Sequence, residues 1–546
     1  MKKTLLLFLA IFISTISQAQ SGTEFWFAPP EVTFSHNSPG GVPIYLNIST
    51  FGDPATVTID MPANGAFVPI VIPIAANTSH QEDLSSFVAT LETYPTDAVL
   101  QTGLRVTATD TITAYYEVSN TNNCDIWSLK GKASLGKEFY VPLHKHDAFW
   151  NQDTYSAPNL AYASFDIVAT ENNTTVMIYS PVDVDGHPAL TPFTIVLQSG
   201  ETYSCATTDG TLEFFPYRGS NEPHYSIPSN HPSGAVIISD KDIAVSIKDD
   251  SNHNPSGGCY DLLGDQIVPV GIVGTEYIAV KGALSTNGDE SAFILATENN
   301  TEVYIDGAVI PIAILFAGQT YRHDMDAVVT STYITLSKPA YVTHVTGFGC
   351  EEGQAVLPPL GCAGSEQISV TRSTSEAFFM NIVVRSGNEG NFSVTGPGTA
   401  AINAASFAAV PGTGGAWMAA KIQFNTTEIP VNQANLVSNS TEVFTLAIVN
   451  GGGSTGCRYG FFSEFAAEIL LDPGVDNTMC ANDTIQLNGS IEGGTNTGQW
   501  TTGGSGQFLP NDFDLNAGYV PSPADIASGI VTITLTSTGN CTPVSD

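Results

Sequence analysis

The chain of 546 residues is 42% hydrophobic and 10% aromatic, too apolar and too aromatic to stay unfolded. Its 17 Lys and Arg face 53 Asp and Glu, a formal net charge of −36, so it lacks the basic face that nucleic acid requires. The acidity reads first as solubility.

At the N terminus, Lys2 and Lys3 precede an apolar run from Leu5 to Ile13, and Ser17-Gln18-Ala19 places small residues on either side of Gln18. This is the pattern of a secretory signal peptide, residues 1–19, cut after Ala19. The run is shorter than the ~20 residues of a spanning helix. No Cys stands at the cleavage point to take a lipid, and no later stretch has the length and apolarity to cross a bilayer. The expected location is therefore extracellular, secreted or at the cell surface.

Gly22-Thr23-Glu24-Phe25, Gly136-Lys137-Glu138-Phe139, Gly274-Thr275-Glu276-Tyr277 and a degraded Gly364-Ser365-Glu366-Gln367 open four blocks, 22–135, 136–273, 274–363 and 364–467. The phrase Ala169-Thr170-Glu171-Asn172-Asn173-Thr174 returns as Ala296-Thr297-Glu298-Asn299-Asn300-Thr301, which marks the blocks as duplicated modules. Strand signals dominate, at Thr56–Asp60, Phe165–Thr170, Thr175–Tyr179, Ile243–Ile247, Glu302–Asp306 and Tyr333–Leu336. The Glu-Asn-Asn-Thr phrase predicts a hairpin turn, because Asn readily takes the left-handed backbone such turns need. A second recurring hairpin is predicted across Ser239-Asp240-Lys241-Asp242 and through Leu336-Ser337-Lys338-Pro339, with weaker versions at Leu104–Val118 and Leu436–Val449.

The predicted fold is all-β, a string of tandem antiparallel β-sandwich repeats. A propeller-like closed array over 22–467 is the alternative that periodicity alone leaves open. After Pro473 the composition changes, and residues 472–546 read as an immunoglobulin-like sandwich in which Trp500 packs on a Cys480–Cys541 bridge. The segment stops right after Cys541, short of an edge strand, which suggests a longer natural protein.

Eight cysteines in an exported chain favour disulfides, with few or no free thiols expected. Cys124, Cys259, Cys350 and Cys457 each follow the last strand of a block, and their recurrence argues against a catalytic thiol. Cys350 and Cys362 are close enough in sequence to close a loop around Leu357-Pro358-Pro359.

Candidate sites are sparse. Asp183-x-Asp185-Gly186 followed by His187 echoes the start of a calcium loop but lacks its third acidic position and distal Glu, so an acidic turn is the competing reading and no other cofactor is expected. Asp249 and Asp250 with Asn252 and Asn254 form a second oxygen-rich stretch, read as a solvated turn. His144-x-His146-Asp147 offers imidazoles to zinc without the further Asp-His pair of a metallohydrolase. Trp26 with Phe25 and Phe27, and Trp150 with Phe149, suit either sugar stacking or the core. No nucleophile elbow, phosphate loop or His-Glu-x-x-His helix is present.

Gly22-Thr23-Glu24-Phe25-Trp26-Phe27-Ala28, Ile167–Val176, Gly200-Glu201-Thr202-Tyr203, Cys259 followed by Asp265-Gln266-Ile267-Val268-Pro269, and Leu357-Pro358-Pro359 together resemble the N-terminal domain family of the IgG Fc-binding protein, in its bacterial branch. The tail, through Leu515–Tyr519 and Pro521–Gly529, is similar to PKD/Ig-like repeats in large surface proteins of gliding bacteria, which typically leave by type IX secretion. The resemblance implies a non-catalytic adhesion or binding protein that recognises an extracellular protein or glycan, and no residue here matches an Fc contact. A glycan-active hydrolase and a purely structural stalk are the rival readings.

Overall fold

The computed structural model describes residues 21–546 apart from 33–41, 122, 145–149, 152–161, 208–212, 218–219, 225–230, 254–258, 286–289, 327, 362, 466–468, 479, 481–482, 494–496, 539–544 and 546. The signal-peptide expectation falls outside these residues. The chain divides into two compact units, 19–468 and 469–546. Strand dominates both, helix is confined to short pieces such as Val88–Leu91 and Pro523–Ser528, and no described helix is long and apolar enough to cross a membrane.

In the larger unit each of the first three blocks is built on one long strand: Leu104–Asn120, Val236–His253 and Ser331–Gly349. Its first half pairs with the strand that opens the block (Ser21–Phe27, Gly136–Tyr140, Gly274–Val280) and with Ala55–Asp60, Thr174–Tyr179 or Thr301–Ile305. Its second half pairs with Ile44–Thr50, Ala163–Ala169 or Ser291–Ala296, and with the strand that follows it, Asn123–Ser128, Tyr260–Gln266 or Glu351–Val356. The fourth block keeps this plan with the long strand broken into Ala434–Asn439 and Phe444–Gly452, and ends in Gly456–Phe461. The Gly-x-Glu phrases thus mark opening strands.

Both expected hairpins are corrected. Ser239-Asp240-Lys241-Asp242 is no reversal, because Val236–His253 runs through it as a single strand. The pairing with Gly136–Tyr140 shifts register between Ile238 and Ile243, and Ser239 Oγ donates to the Lys241 carbonyl at 2.7 Å. The polar step is a bulge that bends the strand from one layer into the other. Likewise Leu336–Pro339 lies within Ser331–Gly349, Leu104–Val118 lies within Leu104–Asn120, and Leu436–Val449 spans two strands that do not pair with each other.

At Glu171–Thr174 the turn chemistry is as expected and the pairing is not. Asn173 and Asn300 are left-handed, at φ 57° and 61°, and the Thr174 and Thr301 hydroxyls donate to the Glu171 and Glu298 carbonyls, each at 2.8 Å. The strands on either side, Ala163–Ala169 and Thr174–Tyr179, lie along the two halves of the same long strand. The turn is a corner between layers. Lys241 and Lys338 pin it identically, Nζ donating to the Asn172 and Asn299 carbonyls at 2.5 and 2.7 Å. The repeated phrase is a repeated structural corner.

The final strand of each block is an inner strand, buried along its described side chains. These four strands pack in a closed cycle: Asn123–Ser128 against Tyr260–Gln266, that strand against Glu351–Val356, the third against Gly456–Phe461, and the fourth back against the first. The cores interlock in the same order. The first takes in Leu262 from the second block, the second Leu295, Tyr341 and Val356 from the third, the third Val449, Tyr459 and Phe461 from the fourth, and the fourth Tyr115 and Ile126 from the first. The all-β tandem modules are present, and they close on one another rather than extending as a string. Close approach requires glycine at two places, since a Cβ on Gly264 would sit 2.3 Å from the Trp127 ring and one on Gly353 2.9 Å from Tyr459 Cβ.

Among the described residues no β-ladder joins one inner strand to the next. A buried carboxylate does. Asp125 Oδ1 accepts the N–H groups of Ile126 at 2.8 Å and Tyr459 at 3.1 Å, and Oδ2 those of Gly264 at 3.1 Å and Gln354 at 3.3 Å. One side chain therefore holds a backbone amide from each of the other three inner strands. Nearby, the buried Lys130 Nζ donates to Asp265 Oδ1 at 2.6 Å, and Asp265 Oδ2 accepts the Val356 N–H at 2.9 Å.

The cysteines follow the ring. Cys350 bonds Cys259, with Cα atoms 5.7 Å apart, and not Cys362, which lies outside the described residues. The two bonded residues stand at the heads of neighbouring inner strands, so packing across the ring decides the partner over nearness in sequence. Cys124 and Cys457 occupy the other two inner strands, both buried, with Cys124 Sγ 3.7 Å from the Cys457 carbonyl oxygen. Among the described residues they, Cys205 and the exposed Cys480 have no disulfide partner, so the buried Cys124, Cys205 and Cys457 depart from the expectation of few free thiols. Cys205 faces the apolar core of the second block.

In the smaller unit Ile469–Asp472 pairs with Ser490–Gly493, Gly518–Val520 with Ile485–Gln486 and Gln507–Leu509, and Thr497–Thr502 with Ile533–Thr538. Trp500 is buried among Leu487, Ile491 and Leu535. Cys541, the expected partner of Cys480, lies outside the described residues. Ser522 and Asp525 form a capping box on the helix Pro523–Ser528, and Tyr519 donates its hydroxyl to Asp525 Oδ2 at 3.0 Å.

Candidate functional site

The residues singled out in sequence scatter. Asp183 Oδ1 accepts the Ala189 N–H at 2.6 Å, and Asp185 Oδ2 accepts the Thr96 hydroxyl at 2.6 Å, so the two carboxylates serve different donors. His187 Nε2 lies 3.0 Å from Asp97 Oδ1. Phe25, Trp26 and Phe27 are buried, with Trp26 Nε1 donating to Glu24 Oε1 at 3.1 Å, and thus belong to the core. His146, Asp147, Phe149 and Asn254 lie outside the described residues.

Two stretches that look unrelated in sequence do meet. His144, just past the opening strand of the second block, and Asp249, on its long strand, converge with His231, which precedes that strand. Asp249 Oδ2 lies 3.0 Å from His144 Nε2 and 2.9 Å from His231 Nε2, and all three side chains are buried. Asn252 Oδ1 is 3.0 Å from the same His144 nitrogen, and its amide donates to Glu352 Oε2 at 3.1 Å on the third inner strand. Gln354 Oε1 lies 3.2 Å from His144 Nδ1. Asp249 and Asn252 therefore face inward, contrary to the solvated turn expected of them. Burial alone would depress His144, but the Asp249 carboxylate overrides it and holds the imidazole above its usual range. Burial opposes ionisation of Asp249 too, yet the two imidazoles hold it far below the ordinary carboxylate range. His231 carried no sequence signal, being a lone histidine in a proline-flanked loop.

A second buried polar group joins the first block to the second. Tyr162 donates its hydroxyl to Glu31 Oε2 at 2.7 Å, Lys248 Nζ lies 3.8 Å from the same oxygen and 3.4 Å from the Tyr162 ring centroid, and Glu92 Oε1 accepts the Val32 N–H at 3.3 Å. Burial, then the charge of Glu31, pushes Glu92 up to about 9, against the Val32 N–H and Lys248 and with Asp250 adding to the rise. A carboxyl whose folded pKa is raised keeps its proton where the unfolded chain has lost it, so stability is full below about 4.5 and drains away as pH rises toward about 9. Glu92→Gln is therefore expected to leave stability at pH 4 nearly unchanged and to raise it by about 2 kcal/mol or more at pH 8. Urea unfolding at the two pH values checks this.

The outer surface has a different character. The outermost strands of the first three sheets, Ile70–Ile74, Phe193–Leu197 and Ala313–Leu315, are paired on one side only among the described residues. Each exposes a branched aliphatic: Val71, Val196 and Ile314. In the third block they extend into a ridge, with Val309 92%, Ile310 74%, Ile314 57% and Phe316 56% exposed.

The family model for the IgGFc binding protein matches residues 128–450, more than half of the chain and parts of all four blocks. No curated protein matches the chain at a significant level.

Proposed function

We propose, from the premise that this chain belongs to the IgGFc binding protein family, that it acts as an exported, surface-held adhesion protein which grips an extracellular protein through the open outer edges of its ring. The family is one of extracellular binding proteins, which supports secretion under the signal peptide and binding rather than turnover. The observation that carries the reading is the apolar ridge Val309–Phe316 beside an edge strand. Such an edge offers unpaired main-chain groups to an incoming strand and apolar side chains to its neighbours. A protein ligand fits better than a glycan, because the exposed apolar groups are largely branched aliphatics while the aromatic set Phe25, Trp26 and Phe27 is buried.

The test is binding of the purified chain to immobilised immunoglobulin Fc, secreted mucin and a polysaccharide panel, with product analysis of every positive. Saturable binding to one of the protein probes is expected, weakened at least about tenfold by Ile310→Asp with Ile314→Asp, two exposed positions whose change leaves the fold intact. Binding confined to polysaccharide, released sugar products, or indifference to the double substitution would each overturn the proposal.

A further inference from the structure

We propose that His144, His231 and Asp249 form a binding site for one divalent transition-metal ion of the zinc class. Each offers one ligand atom, Nε2, Nε2 and Oδ2, and the three lie within 4.8 Å of one another in a buried setting. Bonds of about 2.0–2.1 Å in a tetrahedron place ligand atoms about 3.3 Å apart. The observed 3.0 and 2.9 Å from Asp249 Oδ2 to the two imidazoles come within a few tenths of an ångström of that spacing.

The surroundings fix the donor atoms. Asn252 donates its amide to Glu352 Oε2, which turns Asn252 Oδ1 toward His144 Nε2 at 3.0 Å. With Nε2 on a metal, His144 Nδ1 carries the ring proton, and Gln354 Oε1, 3.2 Å away, is placed to accept it. Asp249 Oδ2 and Asn252 Oδ1 both converge on His144 Nε2, each at 3.0 Å, so oxygen and nitrogen donor atoms are gathered at one point. Glu352 adds a further negative charge close by. An outer group on the second nitrogen of a ligating histidine is also what metal sites use to orient the ring. Two imidazoles and one carboxylate suit a borderline ion such as Zn²⁺ better than Ca²⁺ or Mg²⁺, which take all-oxygen sets, or thiolate-seeking metals. The competing cation is a proton, giving a doubly protonated His144 bound to Asp249.

The experiment uses the full mature chain, stripped with chelator, and titrates it with Zn²⁺ in competition with a chromogenic chelator and separately with Co²⁺. One Zn²⁺ per chain is expected, together with the intense visible absorption of a four-coordinate Co²⁺ site. His231→Gln and Asp249→Asn are each expected to weaken Zn²⁺ at least about tenfold while the far-ultraviolet circular dichroism stays that of a β protein. Absence of Zn²⁺ uptake, a six-coordinate Co²⁺ spectrum, or uptake unchanged by both substitutions would overturn the site in favour of the proton. Should the variants fail to fold, the Co²⁺ spectrum of the unaltered chain still decides.

Discussion

Replacing Asp125 by alanine is expected to lower the stability of the larger unit by at least about 3 kcal/mol, a large share of the 5–15 kcal/mol or so that holds a typical fold. Four backbone N–H groups lose their acceptor at once, and those of Gly264, Gln354 and Tyr459 belong to three different strands. Each buried donor left unmade costs roughly 1–3 kcal/mol, offset in part by no longer burying a carboxylate. Burial pushes the Asp125 carboxyl well above its usual range while the four donors pull the other way. Both oxygens already accept two N–H groups each. Asp125→Asn is accordingly expected to be nearly as damaging as alanine despite its shape, since its amide N–H₂ would point at donors. Urea titration followed by tryptophan fluorescence measures both, and an unshifted midpoint in either variant would remove Asp125 from its linking role.

Removing the Cys259–Cys350 bridge is expected to have a comparable effect. The bond encloses 91 residues of chain, and in the chain-entropy account a loop of that length stabilises by about 4–5 kcal/mol. A Cys259→Ala, Cys350→Ala double variant should therefore unfold at clearly lower denaturant concentration, and reductant should move the unaltered chain to meet it. Peptide mapping without reduction is expected to recover Cys259 joined to Cys350. Recovery of Cys350 joined to Cys362 would restore the local loop that sequence spacing suggests.

The repeat, the β class and the opening strands were legible because each is written locally, in alternating apolar residues and in phrases such as Gly-x-Glu. Turn chemistry was legible as well, since Asn173 and Asn300 adopt the backbone their identity favours. What those turns connect was not. A bulge at Ser239–Asp242 and a reversal draw on the same polar residues, and only the partner strands distinguish them. Closure could not be told from a string of modules for a related reason: the groups that meet Asp125 are main-chain amides, which leave no mark on side-chain identity. His144 and Asp249 each stood out, but their meeting with His231 depends on the packed second block rather than on spacing.

The cyclic packing also orders events in time. The inner strand Gly456–Phe461 is the last piece of the ring in chain order, yet it fills the gap between Asn123–Ser128 and Glu351–Val356 and lends Tyr459 and Phe461 to the third core. A chain that has emerged only as far as the third block thus lacks part of that block's interior and presents two bare strand faces. The contacts that complete it join residues hundreds of positions apart, the kind that form late and slowly. Assembly of this unit is governed by the arrival of its final strand, so a nascent chain stays incompletely folded until Phe461 has been delivered.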